Sequence, residues 1–329
     1  MPLLLRLNNM EERTDLSLFS EKISEIKESI SKVIVGQTDS IDMLLTAIIA
    51  DGHVLLEGVP GVAKTLLAKL TARLIDAKFS RIQFTPDLMP SDVLGTSVFN
   101  MKTSEFSFHP GPVFANIVLA DEINRSPAKT QAALFEVMEE RQATIDGTTY
   151  PMGNVFTIIA TQNPIEQEGT YRLPEAQLDR FVMKISMGYP TAEEEVEILE
   201  RHNGMTPIED LKEKRPVISM EELSEMRRLV GKVVMEKSLL KYIADIVQLT
   251  RSSKALFVGA SPRASIAIMQ CAKGYALLQG RDFVVPDDIK HVAPYVLQHR
   301  ITLTAEAEME GFTAERVARA IIDKVEVPK

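Results

Sequence analysis

The sequence predicts an α/β domain with a parallel sheet covered on both faces, followed by an all-α domain. Three observations predict it. Short apolar runs alternate with helical patterns as far as about Tyr189, and such alternation builds parallel sheets flanked by helices. From Thr191 onward the strand-like runs stop and helical patterns follow one another. The length of 329 residues suits about two domains. The divisions read this way are 1–189 and 190–329.

In chain order, residues 18–32 place Leu18, Phe19, Ile23, Ile26 and Ile30 at helical spacing. Residues 38–50 read as a second helix capped by Thr38 or Asp39. Val54-Leu55-Leu56 reads as a buried strand, with a helix expected over 64–75 and a second strand over 81–84. Residues 85–112 are punctuated by proline and glycine and too long for a plain connection; strand-like pieces lie at 97–100 and 106–109. A third strand, Ile117–Ala120, ends on Asp121-Glu122. A helix is expected over 127–141 with Pro127 in its first turn. Residues 142–155 then read as a hairpin turning at Asp146-Gly147. A strand over 156–160 leads into Thr161-Gln162-Asn163-Pro164, and the last strand covers 182–186. Helices are expected at 191–203, 219–231, 236–253, 262–279, 286–298 and 313–324. No repeats or low-complexity segments occur.

Composition narrows the function classes. At 45 % hydrophobic and 25 % charged residues, the chain has the make-up of a soluble globular protein. No run approaches the ~18 apolar residues that cross a bilayer, so membrane insertion is not expected. The start, Met1–Leu7, is too short and too quickly charged for a signal peptide. The one cysteine, Cys271, leaves no intrachain disulfide and reads as a small buried hydrophobe. These features together point to the cytoplasm. The net charge is −9: residues 1–189 carry 17 basic and 24 acidic groups (−7), and 190–329 carry 20 and 22 (−2). With no Lys/Arg cluster, nucleic acid is a poor fit as partner. The five histidines (53, 109, 202, 291 and 299) lack metal-ligand spacing. The methionines read as core filler, and no Gly-x-Ser-x-Gly elbow is present.

Chemistry concentrates at strand ends. The stretch Gly58-Val59-Pro60-Gly61-Val62-Ala63-Lys64-Thr65, continued by Leu66, sits between a strand and a helix, the context of a phosphate-binding loop. Glycines let the backbone wrap closely, and its N–H groups point at phosphate oxygens. Lys64 is placed for the β- and γ-phosphates of ATP and Thr65 for Mg²⁺. Ala63 stands where the strict pattern has glycine, and the expectation is a negative φ there. An ordinary Gly/Pro turn is the plain alternative. The second motif weighs against it: a strand buried on both faces should not end in two carboxylates unless they meet something cationic. Asp121 is placed for Mg²⁺ and Glu122 as the base that polarises the attacking water. Asn163 follows the next strand. Because ligands of parallel sheets sit at the carboxyl ends of the strands, Lys64, Asp121 and Asn163 can converge on one crevice; a turn residue before Pro164 is the simpler role for Asn163 alone.

The combination of Gly58–Thr65, Asp121-Glu122-Ile123-Asn124-Arg125, Ala160–Pro164, Leu173–Phe181 and Gly259–Arg263 resembles the MoxR group of AAA+ ATPases, from about residue 20 to the end. The Ala63 variant is common in that group. The resemblance implies a phosphate-loop αβα sandwich with a five-stranded parallel sheet and a helical lid. It further implies that Gly36-Gln37 lines the adenine pocket, that Asn163 is sensor 1, and that Arg263 is sensor 2, reaching from the lid to the nucleotide. Arg180 would be an arginine finger offered in trans to a neighbour's γ-phosphate, with Arg172 and Arg125 as rival or additional inter-subunit arginines. Residues 87–109 resemble a helix-2 insert and 142–155 a pre-sensor-1 hairpin, marks of a clade shared with magnesium chelatase subunits. The family assembles as rings, commonly hexamers, and acts on protein partners. These are often von Willebrand factor A-domain proteins, and some members assist metal-cofactor insertion.

Three functions compete on this footing: a ring ATPase that remodels or matures a protein, a nucleic-acid motor on the same core, and a small-molecule phosphate-loop kinase. The motor lacks a basic channel, and the kinase would need neither Glu122 nor a neighbour's arginine.

Overall fold

The computed structural model describes residues 16–164, 171, 173–203 and 215–328. Its centre is a parallel five-stranded sheet of β1 (Val54–Gly58), β2 (Phe79–Gln83), β5 (Ile117–Asp121), β8 (Thr157–Gln162) and β9 (Met183–Met187), in the order β2-β5-β8-β1-β9. Strand alternation explains the burial on both faces. Val54 and Leu56, Ile117 and Leu119, and Ile159 join one apolar cluster, while Leu55, Val118, Ala120, Ile158 and Ala160 join the other. A fully buried Leu or Ile side chain contributes roughly 1.5–3 kcal/mol, so in the inner strands β1, β5 and β8 polar residues stand only toward the ends.

The first face is covered by α1 (Ser17–Ser31), α2 (Thr38–Ile49) and α3 (Lys64–Leu74), and the second by α5 (Ala128–Glu140). The N-cap of α2 is Gln37, without a side-chain cap; Thr38 and Asp39, expected as caps, lie inside the first turn. Pro127 is the N-cap of α5 and not its first helical residue.

The irregular stretch before β5 contains α4 (Pro90–Leu94), which the pattern did not foresee, and an antiparallel ribbon of β3 (Gly95–Asn100) and β4 (Glu105–Pro110). Phe99 and Phe106 pair near its tip with centroids 5.1 Å apart, and Met101 is 88 % exposed. The hairpin β6 (Gln142–Ile145) to β7 (Thr148–Pro151) turns at Asp146 and Gly147, both with positive φ (49° and 79°), as a type I′ turn requires. Its Tyr150 stacks on Phe108 of the ribbon at 4.2 Å. The ribbon and the hairpin are thus one projecting unit.

A largely helical region follows β9. The four-residue α6 (Glu175–Leu178) precedes β9 and was not expected. Beyond α7 (Ala192–Asn203) lie helices at Met220–Lys232, Lys237–Ser252, Pro262–Leu278, Pro286–Leu297, Ala305–Met309 and Ala314–Ile322. Strands do not stop altogether: β10 (Leu256–Val258) pairs antiparallel with β11 (Thr302–Leu303). At two or three residues each, they are too short for periodicity to register. This region shares the first core cluster with α1, α2 and α3. Arg227 pins it further, donating to the Ile48 carbonyl and Thr157 Oγ1, each at 3.0 Å, and pairing with Asp51. Gln298 bonds the Lys184 carbonyl at 2.5 Å. Among the described residues, no helix is long and apolar enough to cross a membrane.

Candidate active site

β1 delivers the chain to Gly58, whose side of the strand is closed: a Cβ there would lie 2.5 Å from the Met187 carbonyl. The loop then turns through Gly61 at φ +90°, where the space around the missing Cβ is open. It enters α3 through Ala63, which has φ 64° and ψ 20°. This corrects the expectation of a negative φ. The left-handed conformation costs a non-glycine residue roughly 1–2 kcal/mol, and the Ala63 methyl packs against the first core cluster. No side chain caps α3. Its first N–H groups therefore have no intrahelical partner, and the positive end of the helix faces the cleft.

The cleft has a volume of about 390 Å³ and is lined by residues 60–66, Arg81, Gln83, Asp121, Glu122, Thr161, Gln162 and Asn163. Three strand ends thus bring Lys64, Thr65, Leu66, Asp121, Glu122 and Asn163 together. Lys64 Nζ turns back onto the loop, donating to the Gly58 carbonyl and to the Val59 carbonyl at 2.8 Å. Thr65 Oγ1 donates to Asp121 Oδ2 at 3.2 Å. Asp121 is buried, and its Oδ1 accepts from Thr161 Oγ1 at 2.5 Å. The same hydroxyl oxygen accepts the Glu122 N–H at 2.9 Å. One threonine therefore fixes both carboxylate residues. Asn163 is buried beside them.

Glu122 occupies the left-handed region at φ 58°, a strain of order 1–3 kcal/mol of the kind that collects at functional sites. Its Oε2 accepts from Gln83 Nε2 at 2.8 Å and from Arg125 Nη1 at 2.9 Å. Arg125 thereby serves its own chain's carboxylate. The sequence reading missed Arg81, Gln83 and Thr161. Arg81 and Gln83 stand two apart on β2, hence on one face, and that polar pair on an otherwise sheet-forming segment was the available signal. Thr161 was seen only as part of the strand end. An oxygen set of a carboxylate and a hydroxyl suits a hard divalent cation such as Mg²⁺, and an open loop of N–H groups with a lysine suits phosphate. The residues present fit both groups.

Other expected site residues lie elsewhere. Gly36 has φ +74° and sits against the Glu194 carboxylate. Gln37 Nε2 donates to the Gly188 carbonyl at 3.2 Å, one residue beyond the end of β9. Neither lines the cleft. Arg263 does not reach it either: its Nη2 meets Glu139 Oε1 at 3.5 Å and its Nη1 lies 3.9 Å from Asp179 Oδ2. Arg180 also leaves the cleft, donating from Nη1 to the Phe135 carbonyl at 3.1 Å and to Glu139 Oε2 at 2.9 Å. Arg172 lies outside the described residues. The histidines take no part. His53 is buried between Met138 and Ile158, and burial holds its pKa down at about 3. Cys271 is buried as expected, its thiol pushed up to about 12 by desolvation. Among the described residues, no cluster of His, Cys, Asp and Glu could hold a metal ion by itself.

Comparison with known proteins places this geometry. Residues 53–183 match the ATPase family associated with various cellular activities (AAA), and residues 248–324 match an AAA lid domain. A Bacillus subtilis protein described only as uncharacterized, YeaC, is 51 % identical over 92 % of this chain and 93 % of its own length. The chaperone MoxR1 of Mycobacterium tuberculosis is 44 % identical over 91 % of this chain and 81 % of its own. A crystal structure of a candidate ATPase from Cytophaga hutchinsonii superposes with a TM-score of 0.87 at 45 % identity, covering 99 % of this chain and 100 % of that one.

Proposed function

The chain belongs to the MoxR group of AAA ATPases and is an ATPase, and from that premise we propose that it hydrolyses Mg²⁺-bound ATP at sites shared between its own copies in a ring, of six as the resemblance implies, and uses the cycle to remodel a partner protein.

The observation that carries the shared site is a separation. Lys64, Thr65, Asp121, Glu122 and Asn163 line one cleft, while Arg180 and Arg263 both lie on Glu139, outside it. Glu139 stands near the end of α5, a helix that begins at Ala128, six residues after Glu122. At 1.5 Å per residue, roughly 17 Å of helix separates Ala128 from Glu139. The two arginines that a single chain brings to the cleft, Arg81 and Arg125, are each paired with its own carboxylates, Asp121 and Glu122, so the arginine for the γ-phosphate is read as a neighbour's Arg180, with Arg263 beside it on Glu139. Arginine fingers raise phosphoryl-transfer rates by roughly 10³–10⁵.

Within the cleft, the N–H groups at the start of α3 bind phosphate oxygens. Lys64 exchanges the Gly58 and Val59 carbonyls for phosphate. Thr65 and Asp121 would hold Mg²⁺, which would supply charge neutralisation of the phosphates. Glu122 polarises the attacking water and takes its proton, oriented by Gln83 and Arg125; Asn163 positions the same water. Gly36 and Gln37 sit where β9 and β1 end side by side, away from the hydrolytic carboxylates, which supports a contact with the nucleoside.

The exposed ribbon of Phe99, Met101 and Phe106 supports action on a protein, as does the chaperone name of the Mycobacterium tuberculosis relative. A von Willebrand factor A-domain protein or a metal-cofactor enzyme is the partner class that the resemblance implies. The test is turnover per subunit against protein concentration. It should rise with concentration and collapse in Arg180→Ala; a rate that stays flat on dilution with a silent Arg180→Ala contradicts the shared site.

A further inference from the structure

The carboxylate of Glu139 is shared between the two arginines. Its Oε2 accepts from Arg180 at 2.9 Å and its Oε1 meets Arg263 at 3.5 Å. The arginines come from separate elements: Arg180 from the turn after α6, Arg263 from the second residue of the helix Pro262–Leu278. Asp179 ties the same elements a second time. Its Oδ1 accepts from Arg300 Nε at 2.7 Å, and its Oδ2 lies 3.9 Å from Arg263. Arg300 is itself fixed: buried, it donates to the carbonyls of Asp179, Phe181 and Val182. The ring of Phe181 packs edge-on against Phe135 of α5, with centroids 5.9 Å apart. Arg180 is thus held by Glu139 and the Phe135 carbonyl, yet its Nε is buried without a hydrogen-bond partner among the described residues. Arg263 remains 60 % exposed.

We propose that Glu139 is a positioning residue for the neighbour's hydrolytic site, aligning Arg180 and Arg263 as one pair before they meet the phosphate. This rests on the reading of a site completed between copies. The physical case is pre-organisation. An unrestrained arginine loses rotamer freedom at the moment it engages, and a small misplacement of a positioning group costs catalysis heavily. A carboxylate with one oxygen on each guanidinium removes part of that freedom in advance, more of it for Arg180 than for the more exposed Arg263. It also relieves the repulsion of two cations set side by side.

The experiment is steady-state ATPase kinetics on the full chain for Glu139→Gln, Arg180→Ala and the double variant, with ring assembly followed by light scattering. Glu139→Gln should lower kcat about tenfold while KM for ATP changes less than about twofold, the signature of an interaction made only in the transition state. In the Arg180→Ala background the same change should have a clearly smaller effect, exerted through Arg263 alone, because Glu139 and Arg180 act as a unit. Glu139→Asp, which keeps the charge, should recover part of the loss. Wild-type kcat in Glu139→Gln, a rise in kcat, or equal losses in both backgrounds overturns the positioning role and leaves the shared site standing. A silent Arg180→Ala overturns both.

Discussion

Arg81 reaches Asp121 with two of its nitrogens, Nε at 3.0 Å and Nη2 at 2.7 Å, both on Oδ2. That oxygen also accepts the Thr65 hydroxyl at 3.2 Å. The atom best placed for a divalent cation is therefore occupied by a guanidinium, which has to move or share when the cation arrives.

Replacing Arg81 by alanine removes that competitor. The half-saturating Mg²⁺ concentration for ATP hydrolysis should fall about two- to fivefold, the scale of a half-exposed ion pair. A magnesium titration of the variant at fixed ATP checks it; an unchanged or higher requirement means that Arg81 does not compete for Asp121.

Glu122→Gln keeps the shape of the site but takes away the base. Turnover should drop by roughly 10²–10⁴ while ATP binding, followed by calorimetry, persists. Such a trap should also retain the partner protein for identification. Gln83→Ala, which loosens Glu122 without removing it, should lower kcat by only about a few fold and leave KM alone. Loss of nucleotide binding in Glu122→Gln speaks against the assignment of this cleft.

Ala63 pays for a left-handed backbone at the entry to α3. Ala63→Gly should relieve that strain and leave the melting temperature equal or higher, since the gain of roughly 1–2 kcal/mol exceeds the unfolded-state cost of glycine, about 0.4–1 kcal/mol. Ala63→Val, β-branched, should destabilise the fold and weaken ATP binding together. A melting temperature lowered by the glycine indicates that the methyl contact outweighs the strain.

His53 accepts the Ile158 N–H at Nδ1 and donates from Nε2 to the Met138 carbonyl, so it folds neutral. Burial lowers its pKa from 6.5 to about 3, and burial likewise holds His299 well below its ordinary value. Between the two values, the unfolded chain binds more protons than the folded one. The stabilisation is fully present above pH 6.5 and is lost as pH falls toward 3, at up to roughly 1.4 kcal/mol per pH unit for each histidine. Denaturant midpoints from pH 7 to 5 should decline, and His53→Gln should flatten the decline. An equal slope in that variant excludes His53 as a source.

The parts of the molecule legible in the sequence are those set by strong local pattern. Apolar runs marked the three inner strands β1, β5 and β8, because a strand buried on both faces needs such a run. Asp121-Glu122 stood out because charge at the end of such a run is costly without a partner. What escaped depended on contacts distant in sequence. Arg81 sits in the cleft only because β2 pairs with β5, where Gln83 faces Asp121. The meeting of Arg180 and Arg263 on Glu139 joins three segments that no spacing rule connects. Ala63 misled because loop geometry, and not the residue's own preference, sets its φ.

The central claim, that one subunit's cleft is completed by another's arginine, is tested most directly by mixing two dead variants. Arg180→Ala has an intact cleft and no finger; Glu122→Gln has a finger and no base. Each alone should hydrolyse ATP at no more than a few per cent of the wild-type rate, about the loss expected for either group, and equimolar mixtures allowed to assemble should regain a substantial share of the lost activity. If the mixture is no more active than the sum of its parts, and Arg180→Ala alone turns over like wild type at every concentration, each chain completes its own site and the account fails.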